Sequence, residues 1–218
     1  LKPDFVSVVN QELLKDKEMK IYDISQEVLS CEVFPNDPTP EIKTIFSIEK
    51  GDMYNLTSFS MCSHNGTHID APSHFIKDGK TVEQIPLYKM VGYAFVIEFF
   101  GEITLKDIKE IYEKAKSISE EASKRILIKG EAVLSLEGAE FLAKEKIYLF
   151  GNESQTVGGG KTLVDVHKVL LSEEIVLLEG IRLSEVGEGI YLLFSSPLSF
   201  CGAEGSPCRA VLVDMQKG

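Results

Sequence analysis

The chain has 218 residues, 44% of them hydrophobic and 26% charged, the balance of an ordinary globular protein that buries its own core. A formal net charge of −11 and a pI near 4.9 argue against a phosphate-binding surface of Lys and Arg, and so against a nucleic-acid partner. No run approaches the ~18 apolar residues of a membrane span, and no apolar stretch marks a signal peptide, so no membrane partner and a cytoplasmic location are expected.

The first predicted element is a helix opening at Pro3 and Asp4, with Phe5, Val9 and Leu13 on one stripe, and ending near Lys15. Ile21 to Ser25 reads as a short strand. Residues 26–41 hold Pro35, Pro38 and Pro40 and are expected to form an ordered loop of the kind that is usually functional or mobile. Phe34, near its middle, reads either as core packing or as part of a substrate-facing lid. Two strands, Ile42 to Glu49 and Met53 to Ser63, flank a turn at Gly51, and the second delivers the chain into His64.

Residues 75–90 read as loop or short helix broken by Gly79 and Pro86, and Tyr93 to Phe100 as an apolar strand. Thr104 with Asp107 forms a capping box for a helix whose buried stripe is Leu105, Ile108, Ile111, Tyr112 and Ala115. A strand at Arg125–Ile128, a helix at Leu136–Ala143 and a strand at Ile147–Phe150 then alternate as β–α–β units do. The following GNESQTVGGGKT is not a phosphate loop, because Gln155 stands where the G-x4-G-K-[ST] pattern needs its first glycine. Thr162 with Asp165 predicts a second capping box, on a helix that carries His167. Ile175 to Leu178 is a buried-type strand ended by Glu179, just before Gly180. Ile190–Phe194 and Ala210–Val213 are the last strands, joined by the loop SSPLSFCGAEGSPCR. With no internal repeat or linker, residues 1–218 are expected to form one domain.

The stretch HNGTHIDAPSH, residues 64–74, concentrates the chemistry. Three of the chain's four histidines, His64, His68 and His74, fall within it, together with Asp70. Neutral imidazole is the commonest metal ligand and the side chain best suited to proton transfer near neutral pH. Gly66, the β-branched Thr67 and Ile69, and Pro72 all disfavour a helix. In an extended segment His68 and Asp70 share one face while Ile69 points into the core, and Gly66 lets the chain bend His64 back toward His68. Cys31, Cys62, Cys201 and Cys208 show no C-x-x-C spacing and read as free thiols; Cys62 is not expected among the ligands, because thiolates usually come in sets.

If His167 and Glu179 fold back onto this cluster, four imidazoles and two carboxylates exceed the three ligands that one catalytic zinc needs. The surplus fits two cations, or one cation and a histidine left for proton transfer. Nitrogen and oxygen donors favour Zn²⁺, with Mn²⁺ or Fe²⁺ as alternatives. A bound cation lowers the pKa of water toward about 7, which suits amide or ester hydrolysis.

HNGTHIDAPSH resembles the H-x-G-T-H-x-D-x-P-x-H pattern of the cyclase family of metal-dependent hydrolases, which includes bacterial-type kynurenine formamidase and isatin hydrolase. YDISQEV, FPNDP and PLSFCGAEGSPCRAVLVD are similar to other segments of that family. The resemblance implies an α/β fold of the swivelling β/β/α kind and a homo-oligomer, dimer or tetramer. It implies His64, His68 and Asp70 as ligands of a first metal, Asp70 and Glu179 shared between metals, and His167 on a second. It implies His74 as the proton-transferring histidine, Phe34 where formamidases carry a substrate-stacking tryptophan, and a small-molecule amide as substrate. The chain departs from the pattern in having no tryptophan, in Glu153–Val157 (ESQTV) where the family has a D-T-P-S-V type segment, and in Glu204 for a common aspartate. These departures bear on the substrate rather than on the metal ligands. Lactone or thioester hydrolysis, cyclisation, and a non-catalytic metal-binding role are the competing readings.

Overall fold

The computed structural model describes residues 19–214, so the helix expected over residues 3–15 lies outside the described residues. The chain runs through β1 (Lys20–Asp23), a long loop, and a hairpin of β2 (Glu41–Phe46) and β3 (Leu56–Ser60). A turn leads to β4 (His68–Asp70), and short 3-10 turns lead on to β5 (Val91–Glu98) and β6 (Gly101–Ile103). Next come α1 (Leu105–Ile118), β7 (Arg125–Lys129), β8 (Ala132–Leu134), α2 (Leu136–Glu145), β9 (Leu149–Asn152), α3 (Leu163–Ser172) and β10 (Val176–Glu179). The chain closes with β11 (Gly189–Phe194), β12 (Gly205–Pro207) and β13 (Val211–Asp214).

Nine of these strands form one mixed sheet in the order β1-β13-β11-β5-β7-β9-β10-β4-β12. Its centre, β5-β7-β9-β10, is parallel, because α1, α2 and α3 each carry the chain back to the same end of the sheet. The outer pairs are antiparallel, including β10 with β4 and β4 with β12.

Alternation along the central strands separates two hydrophobic clusters. Phe95, Ile126, Phe150 and Leu177 pack beneath the helices, while Val96, Leu127, Leu149 and Leu178 pack on the opposite face. Both faces of the central strands are therefore covered, which explains their near-continuous apolar runs. Helix α1 begins as expected: the Thr104 N–H donates to Asp107 Oδ2 at 3.0 Å, and Ile108, Ile111, Tyr112 and Ala115 are buried, with Leu105 at the margin.

Helix α3 begins differently. Thr162 has φ −96° and ψ −1°, outside the extended region that an N-cap side chain needs, and its hydroxyl donates to Gly159 O at 3.1 Å. A 3-10 turn at Gly160–Thr162 leads into the helix instead, and the predicted box with Asp165 does not form. Pairing also resolves strands that read as loop. One is β12, inside the C-terminal loop; its Pro207 is tolerated because β12 is an edge strand.

Candidate metal centre

The β4–β10 pairing brings residues a hundred positions apart onto one patch. Its antiparallel register sets Asp70 opposite Leu177, Ile69 opposite Leu178 and His68 opposite Glu179. Directly opposed residues share a face, so His68, Asp70 and Glu179 face the helix layer while Ile69 joins the far cluster, fully buried. Helix α3 then lowers His167 onto the same patch. Gly66, at φ +70°, turns the chain so that the His64 and His68 rings meet edge to face at 5.0 Å. Pro72 opens the 3-10 turn Pro72–His74 and sets His74 at 4.1 Å from the His64 ring.

The hydrogen bonds assign protons. His68 Nδ1 donates to Gly66 O at 2.9 Å, which leaves the Nε2 lone pair 3.3 Å from Asp70 Oδ1 and 3.4 Å from Glu179 Oε2. His167 repeats the arrangement: Nδ1 donates to Leu163 O at 2.7 Å, and Nε2 faces Glu179 Oε1 at 3.2 Å and Asp70 Oδ2 at 3.9 Å. Glu179 Oε1 also accepts the Val157 N–H at 2.8 Å. His74 Nε2 stands 4.0 Å from Asp70 Oδ2.

With neutral rings, two imidazole lone pairs point at two buried carboxylates, an arrangement that needs a positive charge, either a bound cation or protons on the rings. Among the described residues no Lys or Arg pairs with Asp70 or Glu179; their ion-pair partners are histidines. His68 Nε2, Asp70 Oδ2 and His64 Nε2 are buried and make no aligned hydrogen bond. Donors from His64, Asp70 and His74, and from His68, Asp70 and Glu179, form two compact groups in which Asp70 is common. These orphaned nitrogen and oxygen atoms fit a divalent cation.

Without a metal, protons on the rings supply that charge. Burial opposes a charge on His68, but the Asp70 and Glu179 carboxylates outweigh it and hold its pKa well above the usual histidine range. Burial likewise opposes ionisation of Asp70, and His64 and His68 outweigh that to hold its pKa well below the usual carboxylate range. His64 and His167 are raised more modestly, again against burial, by Asp70 and Glu179 respectively. His74 goes the other way: burial lowers its pKa and keeps it neutral.

All four histidines, Asp70 and Glu179 therefore meet at one place. Phe34 does not join them. It is 41% exposed and lines a separate cleft of about 520 Å³ with Pro35, Gln155, Thr156 and Arg182. Cys62 also stays outside the two donor groups, with Sγ 4.0 Å from Asp37 Oδ2. Sequence reasoning passed over the contacts of Glu204, whose Oε1 lies 3.3 Å from His64 Nε2 and accepts the Ser63 hydroxyl at 2.5 Å. The signal for it lies in the β12–β4 pairing, which sets Gly205 opposite Asp70.

Comparison with known proteins gives this geometry a context. A kynurenine formamidase of Erythrobacter litoralis (strain HTCC2594) is 26% identical over 215 residues, which cover 91% of this chain and 95% of that protein. A solved structure described as a potential metal-dependent hydrolase with cyclase activity is 27% identical, with a TM-score of 0.75, covering 91% of this chain and all of the other. Isatin hydrolase A from Labrenzia aggregata shares the fold at 20% identity, with a TM-score of 0.76 over 96% of this chain and 100% of that one. The Cyclase family model ("Putative cyclase") matches residues 22–158, which include the whole 64–74 stretch. The α/β fold and the family expected from HNGTHIDAPSH both stand, and the chain belongs to the Cyclase family.

Proposed function

We propose that this chain is a divalent-metal-dependent hydrolase that cleaves the C–N bond of a small-molecule amide of the aryl-formamide or cyclic-amide class. The observation that carries the reading is the set of buried, unsatisfied His68 Nε2 and Asp70 Oδ2 atoms beside Glu179 and His167, with no Lys or Arg among the described residues paired to these carboxylates. Similarity to a kynurenine formamidase along nearly the whole chain supports the amide as substrate class.

His64, His68, Asp70, His167 and Glu179 would hold one or two cations, Zn²⁺ by donor type with Mn²⁺ as the alternative. A cation there supplies polarisation of the amide carbonyl and a lowered pKa for water. His74, neutral and with its side chain 28% exposed, takes a proton at Nε2 and returns it to the departing amine nitrogen. Phe34 is assigned to substrate contact: its cleft includes Thr156, next to the Val157 whose N–H holds Glu179.

Residues 1–218 act as one domain, and the protein works in the cytoplasm as a homodimer or homotetramer. The β2–β3 hairpin supports assembly. Every residue of both strands is exposed, Phe59 and Ile42 at 67% and 60%, and an isolated two-stranded hairpin is at best marginally stable in water. We therefore assign its apolar surface to contact with a second copy.

The test is a metal-replete activity screen on N-formyl aromatic amines, cyclic amides, lactones and thioesters. Turnover of the amides that disappears on chelation and returns with metal supports the proposal. Full activity in the chelated protein, or turnover confined to lactones or thioesters, refutes it.

A further inference from the structure

Two acids face His64. Its Nδ1 is hydrogen-bonded to Asp70 Oδ1 at 3.0 Å, and its Nε2, buried and without an aligned hydrogen bond, lies 3.3 Å from Glu204 Oε1. A neutral imidazole carries one proton, so the nitrogen that keeps it decides which nitrogen offers a lone pair. With the proton on Nδ1, donated to Asp70, no lone pair of His64 faces the oxygen that His68 Nε2 also approaches. With the proton on Nε2, the Nδ1 lone pair faces Asp70 Oδ1 at 3.0 Å, the oxygen that lies 3.3 Å from His68 Nε2. The second arrangement needs an acceptor at the far side of the ring.

Glu204 stands there, and the fold holds it. Ser63, next to His64 in sequence, donates its hydroxyl to Glu204 Oε1 at 2.5 Å, and the Ala71 N–H donates to Glu204 O at 2.9 Å. The side chain is 45% exposed, and its Oε1 faces Ser63 and His64. The next residue, Gly205, closes off the ring: a Cβ there would sit 2.5 Å from His64 Cε1. The imidazole is thus seated between β12 and Asp70, with one nitrogen toward each acid.

We propose that Glu204, held by Ser63, is a positioning residue that keeps the His64 proton on Nε2 and so frees Nδ1 to bind a divalent cation. The assignment rests on the metal-centre reading above. Carboxylates that accept the outer N–H of a ligating histidine fix its tautomer and raise its basicity.

The test compares wild type with Glu204→Ala, Glu204→Gln, Glu204→Asp and Ser63→Ala, each stripped of metal and titrated with Zn²⁺ by calorimetry. Long-range ¹H–¹⁵N spectra of the imidazoles in the Zn²⁺-loaded protein report which His64 nitrogen carries the proton. The expected result is Nε2–H in wild type and Zn²⁺ affinity lower by about 10–100-fold in Glu204→Ala. Glu204→Asp recovers part of the loss, and Glu204→Gln, close in shape but uncharged, falls between. Unchanged affinity in both Glu204→Ala and Glu204→Gln, or His64 bound through Nε2, overturns the role of Glu204 and leaves the metal centre standing. A wild-type protein that takes up no Zn²⁺ overturns the metal centre and this inference with it.

Discussion

Asp70 is common to both compact donor groups, so its replacement tests the centre more severely than the loss of any one histidine. Asp70→Asn keeps the shape and removes the charge between His64, His68, His74 and His167. Even outer partners of metal ligands cost about 10–100-fold in affinity when removed, so about 100-fold is a cautious expectation here. A metal at 100 times its Kd stabilises the folded chain by about 2.7 kcal/mol. For a chain of this size that is a rise in Tm of roughly 5–11 °C. At the same metal concentration the variant binds with Kd equal to the free metal and gains only about 0.4 kcal/mol, roughly 1–2 °C. Thermal unfolding of metal-stripped protein with and without added Zn²⁺ reads the difference. If Asp70→Asn gains as many degrees as wild type, Asp70 does not hold the metal.

Four further outcomes follow from the same geometry. His74→Ala keeps most of the metal-induced rise in Tm but loses turnover by about 10²–10⁴-fold, the range for a lost general acid–base group; a variant within a factor of two of wild type on an amide substrate refutes the proton-transfer role. In the metal-free chain the raised pKa values of His68, His64 and His167 add stability that is complete below the unfolded histidine value of about 6.5 and is lost as pH climbs through the folded values. Metal binding needs the deprotonated rings, so the rise in Tm given by Zn²⁺ grows between pH 6 and pH 8; a pH-independent rise contradicts the ligand set. Gly205→Ala puts a methyl 2.5 Å from the His64 ring and lowers Zn²⁺ affinity in a titration, whereas unchanged binding shows that the ring position does not matter. Phe59→Glu, on the exposed β2–β3 hairpin, yields a smaller species in sedimentation velocity, and an unchanged assembly removes the hairpin from the interface.

The sequence reads well where chemistry and local backbone preference coincide. Three histidines and an aspartate interleaved with Gly66 and Pro72 are enough to anticipate a bent strand end, with Ile69 turned inward. The α1 capping box is equally local, since Thr104 and Asp107 satisfy each other. Pairing is not local. Glu179 reaches His68 only through the β4–β10 register, and His167 reaches Glu179 only once α3 packs on that sheet. Here a resemblance anticipated what spacing alone could not. The contact of Glu204 with His64 escaped for the same reason, because a three-residue edge strand containing Gly and Pro carries no periodic signal. Thr162 shows the opposite failure: the right residue types stand three apart, but Gly160, at φ +56°, turns the chain so that the box does not close.

The central claim is a cation seated among side chains from both halves of the chain, and anomalous scattering from crystals grown with Zn²⁺ tests it most directly. A peak is expected about 2.0–2.2 Å from His68 Nε2 and from an Asp70 carboxylate oxygen, on the side facing Glu179. A protein that crystallises from saturating Zn²⁺ with no peak among His64, His68, Asp70, His167 and Glu179 contradicts it.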